Sequence, residues 1–202
     1  MNQPKLFSNA LFLIAIFALA AAAASAQPDR PVPKEGNFEV ALQVVQGSDD
    51  PAARSELPSS LANVSKQIRS AIPYTSYRIT NTYLARVANT GSFEYKSVGD
   101  RLGQTIGSGQ PSFLEWSIGG LQLAGDGSTA QSFRFGARVP VKTTLGPAET
   151  GGPREIFNYE PIGLNLARVS VADKVPTLLG TLMLPSSNST LFLIVTITRT
   201  ER

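Results

Sequence analysis

Apolar and polar residues alternate along much of the chain with a period of two, the pattern of a β-strand that has one buried face. The clearest example is residues 131–171, where two alternating runs are separated by a stretch rich in glycine and proline. In the first run the apolar positions are Phe133, Phe135, Ala137, Val139 and Val141. In the second they are Ile162, Leu164 and Leu166. This pattern predicts two strands flanking an exposed loop over residues 143–154.

The beginning of the folded part is predicted to be a strand, a helix and a second strand. Alternation predicts the strands over residues 38–46 and 77–87. Between them, apolar residues three and four positions apart predict an amphipathic helix with a buried side made of Leu57, Leu61, Val64, Ile68 and Ile72. Pro58 lies in its first turn, where proline is tolerated, and Pro73 ends it. One helix between two strands permits a parallel crossover or an intervening partner strand.

Beyond residue 93 the pattern predicts strands alone. They cover residues 93–98, 113–123, 132–141, 155–159, 162–171, 178–184 and 191–198, and turn residues separate them. The predicted fold class is therefore α+β and mostly β. A β-α-β opening over residues 38–88 is followed by an antiparallel β-sandwich or curled sheet over residues 93–198, all within one globular domain of residues 38–202.

The first 26 residues have the features of a secretory signal peptide. Lys5 supplies a positive end, residues 11–24 form an apolar run, and residues 24–26 (Ala-Ser-Ala) form a small-x-small cleavage sequence. A membrane anchor is the alternative, but the apolar run is shorter than a transmembrane span of roughly 20 residues. Residues 27–37, with three prolines, are predicted to be a flexible linker. The mature chain is therefore expected in the periplasm, the outer cell envelope or the medium, without a transmembrane helix.

Cleavage after Ala26 is expected to leave a mature protein that begins at Gln27, because signal peptidase accepts small residues at these positions. The intact mass of the protein exported by a bacterial host measures this directly. An Ala26→Leu variant is the matched control and is expected to keep the leader. A wild-type mass matching residues 1–202 would instead identify an anchored protein.

Histidine and cysteine are both missing from the 202 residues. Their absence excludes Ser-His-Asp and Cys-His catalysis, the usual zinc and copper ligand sets, and disulfide bonds. Removal of the signal peptide takes away Lys5 and no acidic residue, so the 18 basic residues become 17 against 15 acidic ones. A net charge of +2 is too balanced to predict a nucleic-acid partner.

The remaining side chains predict no catalytic, cofactor-binding or metal-binding residues. Glycoside hydrolysis needs only two carboxylates, but those on predicted strands lie at outward positions or strand ends: Glu39, Glu94, Glu115 and Glu155. Asp49, Asp50 and Asp126 lack the repeated oxygen ligands of a calcium loop. The chain is therefore predicted not to be an enzyme.

Six aromatic side chains carry a polar group and would suit a surface for carbohydrate or protein: Trp116, Tyr74, Tyr77, Tyr83, Tyr95 and Tyr159. The alternation places most of them towards the core. A binding surface made of these residues is therefore the minor alternative.

The order of features in residues 131–171 resembles the conserved β-region of bacterial secretins. In that family a strand leads into a glycine and a V-P-x-x-T element, and a variable polar loop, a tyrosine- or aspartate-containing segment and a G-x-x-L strand follow. The matching residues here are Gly136, Val139, Pro140, Thr143, Tyr159, Gly163 and Leu166. The β-α-β opening also resembles the small ring-forming domains that precede that region.

This resemblance implies an envelope protein that acts through contacts with other envelope proteins or with itself. Secretins form multimeric outer-membrane channels for protein export and pilus passage. The chain departs from them in its shorter length and in its end, LFLIVTITRTER, which lacks the expected proline, so channel formation is not implied. Two functions stay open: a non-enzymatic component of secretion or pilus machinery, and a soluble periplasmic or secreted binding module for carbohydrate or peptide.

Overall fold

The computed structural model describes residues 36–50, 56–100, 102, 110–148, 152–185 and 187–200. The chain divides into two units, Met1–Lys34 and Glu35–Arg202, and the fold described here belongs to the second. The predicted signal peptide and most of the predicted linker lie outside the described residues.

The described residues form nine strands, one α-helix (α1, Ala62–Ala71) and a 3-10 turn (Ser59–Leu61). The first five strands are β1 (Asn37–Ser48), β2 (Ser76–Ala88), β3 (Ser92–Asp100), β4 (Ser112–Gly119) and β5 (Gln122–Ala124). The other four are β6 (Gly127–Ala148), β7 (Gly152–Ala172), β8 (Thr177–Met183) and β9 (Ser189–Thr200).

These strands form two sheets in which every described pair is antiparallel. Sheet A has the order β2-β1-β9-β8. Sheet B has the order β3-β4-β6-β5, and β7 pairs with β6 as well. The two sheets pack against each other through a large apolar core, which confirms the predicted mostly β, α+β class.

The parallel crossover that the sequence permitted does not form. β1 and β2 are antiparallel neighbours, with Asn37 opposite Ala88 and Ser48 opposite Ser76. The helical connection therefore leaves and re-enters the sheet at the same end, and it does not have to cross the sheet. α1 covers the outer face of sheet A, so the connection still buries its apolar side.

A β-bulge in β2 corrects the predicted sidedness of that strand. The sequence pattern put Tyr77, Ile79, Tyr83 and Val87 on one face. In the structure Val44 lies opposite Asn81 while Val45 lies opposite Ile79, so one residue of β2 is left over between them. Because an extra residue reverses the alternation, Tyr77 and Ile79 face the helix while Tyr83 and Val87 face the sandwich core.

The helix is where its apolar spacing predicted it, and its buried residues form a second core with sheet A. Leu61, Val64 and Ile68 are almost fully buried. They pack with Val45, Tyr77, Phe192 and Ile194 from the outer face of sheet A. The helix stops before Pro73, as predicted. Pro58, which was predicted in the first helical turn, instead directly precedes the 3-10 turn.

Tyr77 fixes the end of the helix. Its hydroxyl donates a hydrogen bond to the carbonyl of Ile72 and accepts one from the backbone N–H of Tyr74 at 2.9 Å. The guanidinium carbon of Arg69 lies 4.5 Å from the centre of its ring. The buried hydroxyl thus satisfies two backbone groups just beyond the C-terminal end of the helix, where intrahelical partners run out.

Three predicted boundaries in sheet B are wrong. The strand predicted over residues 113–123 is divided into β4 and β5, because Gly120 has a φ of +63°, which turns the chain. The loop predicted over residues 143–154 is mostly strand: β6 runs to Ala148 and β7 starts at Gly152. The predicted strands at 155–159 and 162–171 are likewise one strand, since pairing with β6 continues past Pro161.

Arg199, near the end of β9, joins the two sheets. Its Nη2 donates to the carbonyl oxygens of Gly125, at 2.9 Å, and Gly127, which lie at the turn between β5 and β6. Its backbone N–H donates to Oδ1 of Asp173 at 2.9 Å. One side chain of sheet A therefore holds a turn of sheet B at this end of the sandwich.

Candidate functional site

The β6–β7 hairpin is longer than the sheet to which it belongs. β4 pairs with β6 only between Ser132 and Arg138, whereas β6 and β7 stay paired as far as Ala148 and Gly152. We call residues 139–148 and 152–160 the hairpin arm. Among the described strands, the arm has no pairing partner other than its own two strands.

The seven positions that carry the secretin resemblance all lie on this hairpin. The pairing places Gly136 opposite Gly163 and Pro140 opposite Tyr159. Val139 is buried in the sandwich core and Leu166 packs against that core. Oγ1 of Thr143 accepts a hydrogen bond from Nδ2 of Asn158 at 3.3 Å. The resemblance positions are therefore divided between core packing and the outer face of sheet B.

That outer face, turned away from the sandwich core, contains a groove of about 650 Å³. Two rows of cross-strand neighbours define it: Lys96, Glu115, Gly136 and Gly163 in one row, and Val98, Phe113, Arg138 and Pro161 in the other. We call it the sheet B groove. Its volume falls within the range of about 300–1,000 Å³ that small-molecule sites occupy.

Glycines form the floor of the groove. A Cβ at Gly163 would meet the backbone oxygen of Phe135 at 3.0 Å, so a side chain does not fit there without a backbone shift. A Cβ at Gly136 would instead meet the side chain of Glu115 at 3.3 Å, and that side chain is exposed and flexible. The packing around the groove therefore requires the glycine at 163 but not the one at 136.

Exposed apolar side chains form the side of the groove nearest the arm. Phe113 is 41% exposed and Tyr159 is 37% exposed. Their rings meet edge to face, with centroids 5.3 Å apart and an interplanar angle of 66°. Val98, opposite Phe113 on β3, is 65% exposed. Such a patch beside polar residues is typical of a binding surface.

The charges around the groove are unevenly paired. Lys96 forms an ion pair with Glu94 at 2.8 Å, and this hydrogen-bonded contact lowers the pKa of Glu94 and raises the pKa of Lys96. On the arm, Lys142 pairs with Glu155. Arg138 has no ion-pair or hydrogen-bond partner among the described residues. The groove thus contains one guanidinium, that of Arg138, which forms no ion pair with a described side chain and can bind an anionic group.

The candidate residues from the sequence lie elsewhere or serve other roles. Trp116, Tyr77 and Tyr83 are buried, Tyr74 and Tyr95 are half-buried, and Tyr159 is at the groove. Three of the four carboxylates are ion-paired, namely Glu39, Glu94 and Glu155. Asp49 accepts hydrogen bonds from the N–H of Thr75 and from Asn188, as a turn residue does. Within the described residues, no three acidic side chains come close enough to hold a metal ion.

Sequence reasoning missed Val98, Phe113, Arg138 and Pro161 as site residues. One signal was available for Phe113, because it lies out of phase with the buried positions Leu114, Trp116 and Ile118. An apolar residue on the polar side of an alternating strand indicates an exposed contact surface. Nothing in the sequence placed Phe113 next to Tyr159, since that contact depends on the order of the strands.

No protein-family model matches the chain, and no curated protein is significantly similar to it. A search of solved structures finds similarity to the cryo-EM structure of XcpQ, the type II secretion system secretin of Pseudomonas aeruginosa. The sequence identity is 9% and the TM-score 0.32, and the alignment covers 93% of this chain and 63% of the secretin chain. A TM-score this low does not establish a shared fold. Separately, none of the helices in the described residues is both long and apolar enough to span a membrane.

Proposed function

We propose that the chain is an exported, non-enzymatic protein of the bacterial cell envelope that binds other proteins, copies of itself included, through the hairpin arm. The observation behind this proposal is the arm itself, whose two strands pair with each other and with no other described strand. The position of the secretin-like residues on the same hairpin supports an assembly role connected with secretion or pilus machinery.

The physical argument concerns the edges of the arm. An unpaired strand edge presents a row of backbone N–H and C=O groups that can pair with a strand from another molecule. A ribbon of two strands is only marginally stable in water by itself. Addition of a strand to either edge would therefore satisfy backbone groups and stabilise the ribbon at once, which is a common mode of protein recognition.

Prolines limit where such pairing can take place. Pro140 on β6 and Pro161 on β7 have no backbone N–H and interrupt any ladder formed at their positions. Both lie near the base of the arm, where it leaves the sheet. A partner strand is therefore expected to pair beyond Pro140 on β6, towards Thr143.

The mature protein is accordingly expected to self-associate weakly through the edge near residues 139–143. Sedimentation velocity at rising concentration should show a reversible increase in mean sedimentation coefficient. Thr144→Lys, at an exposed position of the arm, should reduce it because like charges would meet across the edge. Val141 is unsuitable for the added charge since it is only 8% exposed.

Leu84→Lys is the control for this measurement. Leu84 is 77% exposed on sheet A, away from the arm, so the added charge should leave self-association unchanged. A wild-type protein that stays monomeric at all concentrations, or an equal effect of both substitutions, would contradict association through the arm.

The second candidate function, a soluble binding module, is favoured by the sheet B groove. Its exposed rings and the guanidinium of Arg138 do not contribute to the apolar core. The groove and the unpaired strand edge of the arm are different surfaces, although Tyr159 belongs to the arm, and the two candidates are tested separately.

A further inference from the structure

We propose that the sheet B groove binds an acidic saccharide, a sugar chain that carries carboxylate groups. In this assignment Arg138 binds a carboxylate, and the rings of Phe113 and Tyr159 contact the apolar faces of sugar rings. Tyr159 belongs to the hairpin arm, but its ring lies on the face of the sheet and not at the unpaired strand edge, so the site is distinct from the edge that the proposed self-association uses.

Gly136 lies in the interior of β6, at the floor of the groove. Glycine in the interior of a strand weakens it relative to alanine. It is common at bulges or bends, or where a ligand approaches the backbone closely. The β6 ladder has no register shift at Gly136, so a bulge does not account for it. Its φ is not positive and the exposed Glu115 side chain is the nearest obstacle, so backbone strain and packing do not account for it either. We infer that the glycine leaves room for close approach of a ligand to the backbone.

The groove offers a ligand side-chain groups and no free backbone groups of β6. At this level β6 is paired on both sides, with β4 and with β7. Its backbone N–H and C=O groups are therefore engaged within the sheet. A peptide lying across this face would find no backbone partners for its own amide groups, which need them when buried. A saccharide needs none, because side chains and water satisfy its hydroxyl groups while its C–H faces pack on aromatic rings.

Charged side chains surround the groove, and they differ in how they are paired. Lys96 forms an ion pair with Glu94, which is the main cause of its raised pKa. Glu115 lies opposite Lys96 and makes a smaller contribution. Arg138 forms no ion pair with a described residue, although Glu115 lines the same groove. Phe113 and Pro161 are the neighbours of Arg138 across the two flanking strands. A guanidinium binds a carboxylate through two parallel hydrogen bonds. A ligand that combines stacking faces with carboxylates matches this set of groups better than a neutral sugar does.

The experiment compares two probes with the same sugar backbone, an oligomer of α-1,4-linked galacturonate and its methyl ester, in which each carboxylate is replaced by an uncharged ester. Isothermal titration calorimetry with the mature protein should show at least tenfold tighter binding of the acid. Arg138→Gln should abolish that preference, while Phe113→Ala should weaken the binding of both probes at least tenfold. Both residues are exposed, and circular dichroism would verify that each variant is folded.

Two further measurements distinguish a shaped saccharide site from general attraction of anions. Gly136→Val should block binding of both probes, whereas Leu84→Val, on the exposed face of sheet A, should not. Poly-glutamate tests for non-specific binding of anions and for an acidic peptide ligand. Binding of poly-glutamate as tight as that of the galacturonate oligomer would overturn the proposal. So would equal binding of acid and ester, or no binding of galacturonate and mannuronate oligomers at millimolar concentration.

The saccharide-binding test can fail or succeed independently of the self-association test. Thr144→Lys is expected to keep full affinity for the saccharide, and Phe113→Ala is expected to keep the sedimentation behaviour of the wild type. Loss of saccharide binding in Thr144→Lys would contradict the independence of the two sites.

Discussion

Replacement of Trp116 by alanine is expected to lower the free energy of unfolding by about 3–5 kcal/mol, the usual cost of deleting a buried aromatic side chain. Trp116 is 1% exposed and belongs to the core between the two sheets. Its ring centroid lies 5.1 Å from that of Phe93 and 6.3 Å from that of Tyr83. The substitution would leave a cavity at the contact that holds sheet A to sheet B.

Phe113→Ala is the matched control, because Phe113 lies on the same strand and faces the opposite way. It is 41% exposed, and its packing is limited to contacts such as the one with Tyr159, so the expected loss is about 1 kcal/mol. Urea denaturation followed by far-ultraviolet circular dichroism measures both, since the signal does not depend on the single tryptophan. Equal losses in the two variants would mean that the inner and outer faces of β4 are wrongly assigned.

Replacement of Leu61 by alanine is expected to destabilise the fold by about 2–5 kcal/mol. Leu61 is 1% exposed and lies in the core between α1 and sheet A. That core is the smaller of the two, with seven buried residues, and the neighbours of a missing side chain can refill the space only in part. The helix has no side-chain hydrogen bond at its N-cap, so packing is its main source of stability.

Lys66→Ala tests the same helix from its solvent side. Lys66 is exposed, and its loss should change stability by no more than about 0.5 kcal/mol. The measurement is the denaturant concentration at the unfolding midpoint of each variant, compared where the dependence of the unfolding free energy on denaturant is the same. A similar loss for Lys66→Ala and Leu61→Ala would show that this face of α1 does not pack on the sheet.

Local patterns in the sequence were sufficient for the elements with strong apolar signals, whether one face is buried, as in β4, or both faces are buried, as in β9. β1, β4 and β9 were located by their apolar positions, and the three- and four-residue spacing around Val64 and Ile68 located the helix. These signals depend only on neighbours in the chain. The sequence does not predict the β2 bulge, because apolar residues continue to alternate on both sides of Thr80. Only the pairing with β1 reveals that Thr80 is an extra residue.

The hairpin arm was mistaken for a loop because its prolines and glycines usually interrupt a strand. In the structure the two strands pair with each other as far as Leu145 and Arg154, and again at Ala148 and Gly152 after a register shift. Prolines and glycines are tolerated in strands that lack a second partner. The sequence does not indicate that the arm lacks a second partner, because that depends on where the pairing of β4 with β6 ends. The sheet B groove was missed for a related reason: β6 lies between β4 and β7, and that order brings Phe113 to Tyr159.

The place of β9 in sheet A governs how fast the chain can fold. β9 lies between β1 and β8, and its last residue is bonded to the first residue of β1: Oγ1 of Thr200 donates to the carbonyl oxygen of Asn37 at 3.0 Å, across a sequence separation of 163. The centre of the sheet cannot close until these distant segments meet, and the entropy of closing so large a loop is lost before any contact compensates for it. We therefore expect folding on the millisecond-to-second scale typical of β-proteins with non-local pairing. During synthesis, β1 and β8 lack the strand that lies between them until β9 has been made, so sheet A cannot be completed before that point.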